Sequence, residues 1–242
     1  MKKLLSRLFV GAAVVSAGTA AAADLSKAPP PLFGWSGCYA GGAAGLGAGN
    51  VSWRDVSTPG DIDAKRAFNI AESDMSGSVF GAQIGCDYQY ASSWVFGISG
   101  MIARSDIAAT NQDQFNALWT LRNRVDWLAT IAGRWGYAID RSLLYIRGGA
   151  AWTGNRLEIE ARDFNLGTPL ATRLGWTAGA GIEWAFAPRL SAFLEFNYYN
   201  FGTQNIGFMG NPAAAADRPF IIGSYQTVET FQVGVNYRFW GL

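Results

Sequence analysis

The stretch Leu174-Gly175-Trp176-Thr177-Ala178-Gly179-Ala180-Gly181-Ile182-Glu183-Trp184-Ala185-Phe186 decides the fold. One parity, Leu174, Trp176, Ala178, Ala180, Ile182, Trp184 and Phe186, is wholly apolar, and the other carries Gly, Thr, Glu and Ala. Apolar residues at every second position give an extended strand one nonpolar face; a helix would repeat near 3.6. The period recurs where Phe231, Val233, Val235, Tyr237 and Phe239 oppose Gln232, Gly234, Asn236 and Arg238, and where Phe80, Ala82, Ile84, Cys86 and Tyr88 oppose Gly81, Gln83, Gly85 and Asp87. Trp127, Ala129, Ile131, Trp135 and Tyr137 likewise oppose Asp126, Thr130, Arg134 and Gly136.

Eight such segments are predicted, at 35–49, 77–90, 94–104, 123–138, 143–154, 174–186, 190–201 and 228–239. Each is long enough to cross a bilayer obliquely, and an even number permits closure. The connections Ala91-Ser92-Ser93, Ile139-Asp140-Arg141 and Ala187-Pro188-Arg189 are tight, whereas 50–76, 105–122, 155–173 and 202–227 are long. Short periplasmic turns facing long external loops are the pattern of an outer-membrane barrel. The fold class is therefore all-β, an eight-stranded antiparallel up-and-down transmembrane β-barrel. A soluble lipocalin-like barrel would have to turn Trp176, Ile182, Trp184, Phe186 and many other ring side chains inward, which is too much volume for eight strands.

The chain has 242 residues, 50% hydrophobic and 15% charged, with 30 glycines and no histidine. Without imidazole, Ser-His-Asp and Cys-His catalysis, histidine metal sites and histidine proton shuttles are excluded, so no enzyme and no cofactor are expected. Lys2, Lys3 and Arg7, the apolar stretch Leu8 to Ala17 and Ala21-Ala22-Ala23 read as a signal segment over 1–23, cleaved before Asp24. Removing its three basic residues takes the formal net charge from +1 to −2, and no basic nucleic-acid footprint remains. Pro29-Pro30-Pro31 mark 24–34 as a semi-rigid periplasmic linker, leaving 35–242 for the barrel.

On the lumen parity, Arg134, Arg147, Glu183 and Glu195 lie five to seven residues from short turns, at similar depth, with Arg238 and Asp87 below. Two positives and two negatives in a narrow lumen are expected to pair, because an unpaired charge there is costly. Cys38 and Cys86 fall on the outward parity of neighbouring strands, as either a disulfide in an oxidising compartment or two free, small apolar residues. Trp35, Trp94, Trp135 and Trp184 are expected in a periplasmic aromatic girdle, with Trp53, Trp119, Trp127, Trp152 and Trp176 in the external one. The glycine run Gly41 to Gly49 reads as strand glycine, since Asn50 breaks a nucleotide-binding spacing.

These residues resemble the small porin-like outer-membrane proteins with an OmpA-type eight-stranded barrel, common in Gram-negative bacteria. The similarity lies in Asp24 to Pro31, Trp35-Ser36-Gly37-Cys38-Tyr39-Ala40-Gly41-Gly42, Gly81 to Tyr90, Gly175 to Pro188 and Val233 to Phe239. The resemblance implies a location in the cell outer membrane. It also implies an assembly signal at Val233, Val235, Tyr237 and Phe239, read by the barrel-assembly machinery, although Trp240, Gly241 and Leu242 follow the aromatic. Ser99 and Met101 stand at inward positions where the resemblance would place acidic residues. Outer-membrane lipids and lipopolysaccharide are the expected surroundings. Three roles follow: a structural, envelope-integrity barrel with a plugged lumen; a porin-like channel for small solutes; or a receptor or adhesin whose external loops meet host surface ligands.

Overall fold

The computed structural model describes residues 33–55, 69–91, 93–112, 119–161, 164–167, 171–208 and 220–240. The expected signal segment 1–23 and linker residues 24–32 lie outside them. The described residues form β1 (Gly37–Asp55), β2 (Asn69–Tyr90), β3 (Trp94–Gln112), β4 (Trp119–Ile139), β5 (Ser142–Ala161), β6 (Phe164–Gly167), β7 (Ala171–Ala187), β8 (Leu190–Phe208) and β9 (Phe220–Trp240). Eight long strands run β4-β3-β2-β1-β9-β8-β7-β5, and β4 pairs β5 to close the barrel. Every pairing is antiparallel. The four-residue β6 only adds to the outer end of β5.

The burial pattern is that of a soluble protein turned inside out. Leu46, Phe80, Ile102, Ile131, Leu174 and Phe231 point outward at 50–70% exposure, while Arg134, Arg147, Asp87, Glu183, Glu195 and Arg238 are buried. A closed barrel satisfies its backbone in the ladder and meets hydrocarbon with its apolar face. The periplasmic turns are tight, and Asp140 takes a left-handed φ of 51° in the two-residue β4–β5 turn, a conformation Asp tolerates.

The inner strand ends fall close to the expected positions, but the outer ends run well past them: β2 begins at Asn69, β3 reaches Gln112 and β8 reaches Phe208. Beyond the apolar band the outward residues turn polar, as with Asp74 and Ser76 on β2 or Asp106 on β3. The alternation fades there while the hydrogen-bond ladder continues. Much of what reads as external loop is strand.

One parity assignment is corrected. Pairing shifts by a residue between Val125 and Trp127 against β5, and between Arg104 and Ile107 against β3. This β-bulge turns Asp126 out of the lumen face to the outer side, where Arg124 and Arg156 hold it at 3.3 and 3.4 Å.

Candidate functional site: the barrel lumen

Three layers fill the lumen. At the periplasmic end Trp35, Val95, Ala138, Leu143, Tyr145 and Ala185 form an apolar cluster, with Phe33 packed against it. Trp35 is fully buried, so it belongs to this cluster and not to the girdle expected from sequence. Its backbone N–H donates to Gln89 Oε1 at 2.8 Å, and Arg238 Nη1 donates to the carbonyls of Trp35 at 2.6 Å and Gly37 at 3.2 Å. Polar anchors thus fold the segment before β1 into the barrel mouth. The indole follows them inward because it fills space there.

The middle layer brings together all six lumen residues singled out from sequence. Arg134 donates to Asp87 Oδ2 and Glu183 Oε2, both at 2.9 Å, and Arg238 reaches the same Asp87 oxygen at 3.2 Å. Arg147 meets Glu195 separately, at 2.6 Å. Arg134 and Arg147 are direct cross-strand partners, an arrangement that like charges disfavour. Their guanidiniums diverge to different carboxylates. Three cations and three anions balance within this layer, which a low-dielectric interior demands.

Neutral groups complete the layer. Ser191 (2.6 Å) and Asn236 (3.0 Å) donate to Glu183 Oε1, Asn197 donates to Glu195 Oε1 at 2.8 Å, and Arg147 donates to Thr130 Oγ1 at 3.1 Å. The Tyr145 hydroxyl donates to Glu195 Oε2 at 2.7 Å. The Arg134 guanidinium carbon also lies 5.3 Å from the Tyr39 ring centre and 4.7 Å from that of Tyr145, placing the cation against two π faces. Each tyrosine covers the glycine opposite it in the ladder, Tyr39 over Gly85 and Tyr145 over Gly181. A Cβ on either glycine would stand 2.6 Å from the ring. Sequence reading missed both tyrosines, although their lumen parity and paired glycines were the available signal.

Above, Val51, Met75, Val79, Met101, Ile107, Val125, Leu128, Tyr199, Phe201 and Val228 belong to a second buried apolar cluster. Ser99 and Met101 are inward and buried, so the third strand contributes no charge to the described part of this lumen. Arg173, also missed from sequence, is buried at the outer end and donates to the Ser224 carbonyl at 3.1 Å, with no carboxylate partner among the described residues.

The remaining singled-out residues face outward. Cys38 and Cys86 pair across β1 and β2 and are joined by a disulfide, S–S 2.06 Å. Val233, Val235, Tyr237 and Phe239 are about half exposed along β9. Trp94 and Trp135 lie near one another at the periplasmic end, ring centres 5.5 Å apart. Trp176 and Tyr198 meet near the outer edge at 5.6 Å. The side chains of Trp53 and Trp119 lie outside the described residues.

Comparison with known proteins agrees with this architecture. The chain is 26% identical over 252 residues to a 31 kDa outer-membrane immunogenic protein of Brucella melitensis, covering 97% of this chain and 99% of the relative. A 25 kDa outer-membrane immunogenic protein of the same organism is 24% identical over 249 residues, covering 99% of this chain and all of the relative. The crystal structure of the outer membrane protein OprG from Pseudomonas aeruginosa superposes with a TM-score of 0.54 at 11% identity, covering 86% of this chain and 99% of that one. The model of the outer membrane protein beta-barrel domain matches residues 10–239. This chain, whose eight long described strands close with their apolar face outward and their ion pairs inward, belongs to that family, and its place is the outer membrane.

Proposed function

We propose that the protein is a structural component of the outer membrane, a barrel whose own side chains plug it. The observation that carries this reading is the layered lumen, in which two apolar clusters enclose a charge-balanced ion-pair network. Wide aqueous pores belong to barrels of sixteen or more strands. The three lumen carboxylates, Asp87, Glu183 and Glu195, are each ion-paired, which supports a packing role over a catalytic one. The test is conductance of the refolded barrel in a planar bilayer, with folding established by heat-modifiable electrophoretic migration. A folded, silent barrel is expected, and Glu183→Gln is expected to stay silent. Reproducible channel steps would overturn the reading and make the Arg134 cluster a gate.

The projection of β2, β3, β4 and β8 beyond the apolar band favours a second reading, display of the external segments at the cell surface. The names of the Brucella relatives, immunogenic proteins, accord with it. Exchange of residues 56–68 and 209–219 is expected to abolish adherence of cells displaying the barrel; unchanged adherence would sink this reading.

A further inference from the structure

Among the described residues of the outer lumen, Arg173 is the one charged side chain that faces inward. The lumen carboxylates lie far from it. Glu183 stands ten residues further along the same strand, and Glu195 faces Gly181, eight residues along, about 26 Å by strand rise. Asp87 belongs to the same layer as Glu183, since Arg134 holds both. The acids nearer the outer rim take the other face of the wall: Glu72, Asp74, Asp106, Asp126 and Glu229 are outward, and Glu158 and Glu160 continue the outward parity of Arg156.

The guanidinium is held at one corner only. Its Nη1 donates to the Ser224 carbonyl, the single hydrogen bond it makes among the described residues, and its Nε is buried without a partner. The Nε–Nη2 edge that remains offers two parallel donors in one plane, the arrangement that grips a carboxylate bidentately. The Ser224 hydroxyl is likewise buried without a partner, and so is Oε1 of Gln204, the ladder partner of Ser224 on β8. Other polar groups at this level are satisfied. Asn155 reaches from β5 to Gln226 on β9, Nδ2 to Oε1 at 2.6 Å, and Thr153, the ladder partner of Arg173, donates to the Trp127 carbonyl at 3.1 Å.

Buried polar groups in folded proteins almost always have partners, because an unmade hydrogen bond or an unpaired buried charge is costly. Three orphan atoms on the adjoining strands β7, β8 and β9 therefore call for a ligand that satisfies them together. One unpaired cation calls for one negative charge. A phosphate brings more than one at neutral pH and a zwitterion brings none net, whereas a monocarboxylate leaves the site neutral, as burial demands. Its two oxygens match the Nε–Nη2 edge, with the Ser224 hydroxyl free to donate to one of them. Gln204 Oε1 is an acceptor, so it requires a donor on the ligand, which a hydroxyl beside the carboxyl group supplies.

We propose that the outer lumen binds one small hydroxy-monocarboxylate, seated on Arg173 with Ser224 and Gln204 beside it. The site stands outward of the ion-pair layer, so it does not depend on whether the lumen conducts. The test is saturation-transfer NMR of lactate with the folded barrel in detergent, alongside lactamide, propionate and inorganic phosphate. Lactate is expected to bind, with lactamide and an Arg173→Gln variant each weaker by about tenfold or more and propionate weaker by about threefold. Inorganic phosphate at equal concentration is expected to leave lactate bound. Arg173→Gln removes an uncompensated buried charge, so it is expected to fold, and lactate is expected to raise the urea midpoint of the unsubstituted barrel but not of this variant. Ser224→Ala, expected to weaken lactate by about threefold, keeps the test decisive should Arg173→Gln fail to fold. No lactate signal, binding unchanged in either variant, or lactamide or propionate equal to lactate would overturn the proposal. Displacement of lactate by phosphate would also overturn it, marking an unselective anion site.

Discussion

In the middle of the lumen, six ionised side chains from β2, β4, β5, β7, β8 and β9 hold one another, with serine, asparagine, threonine and tyrosine filling the gaps between them. One level outward the same narrow bore is filled by Ile107, Leu128, Val125, Tyr199 and Phe201. Both layers consist of buried side chains, but they fail differently. An apolar filling loses energy in proportion to the volume removed. A charged filling loses most when one partner goes, because the survivor stays buried without compensation. The middle layer is thus fixed in identity, and the outer layer mainly in volume.

That contrast is broken most severely at Arg134, which serves two carboxylates and lies against two tyrosine rings. Arg134→Met is expected to cost about 3–5 kcal/mol, read as an earlier urea midpoint for loss of the compact electrophoretic form. A cost near that of an ordinary surface substitution would mean that Asp87 and Glu183 find other partners. Gly181→Ala adds only a methyl but drives it into the Tyr145 ring. Overpacking of about 1–3 kcal/mol is expected, with the loss concentrated in the middle layer because Tyr145 also holds Glu195. At the small end, Ile107→Val in the fully buried outer layer is expected to cost about 0.5–1.5 kcal/mol by the same measurement. Were Ile107→Val to match Arg134→Met, the distinction between the two fillings would collapse.

The lumen charges were legible in the sequence as a set, because parity alone put Arg134, Arg147, Glu183, Glu195, Asp87 and Arg238 on one face. Their partners were not. Arg134 and Arg147 are ladder neighbours, and their division between the Asp87–Glu183 pair and Glu195 depends on register between strands distant in sequence. Trp35 shows the limit from another side: as an aromatic beside a strand end it reads like its girdle counterparts Trp94 and Trp184. Only the hydrogen bonds that its backbone N–H donates to Gln89 and that its carbonyl accepts from Arg238 distinguish inside from outside. Asp126 was misassigned because a bulge shifts parity without leaving a mark in the apolar pattern.

By itself the sequence determined the strand type, the number of membrane-crossing strands, the positions of the tight turns and which face meets lipid. All of these follow from a period of two and from turn composition, which are local properties. Tertiary structure alone decided the pairing of the lumen charges, the inward placement of Trp35, the outward turn of Asp126 and the extension of the strands beyond the membrane. These depend on register, on the bore of a closed eight-stranded barrel, and on a backbone ladder that continues where the side-chain alternation has ended.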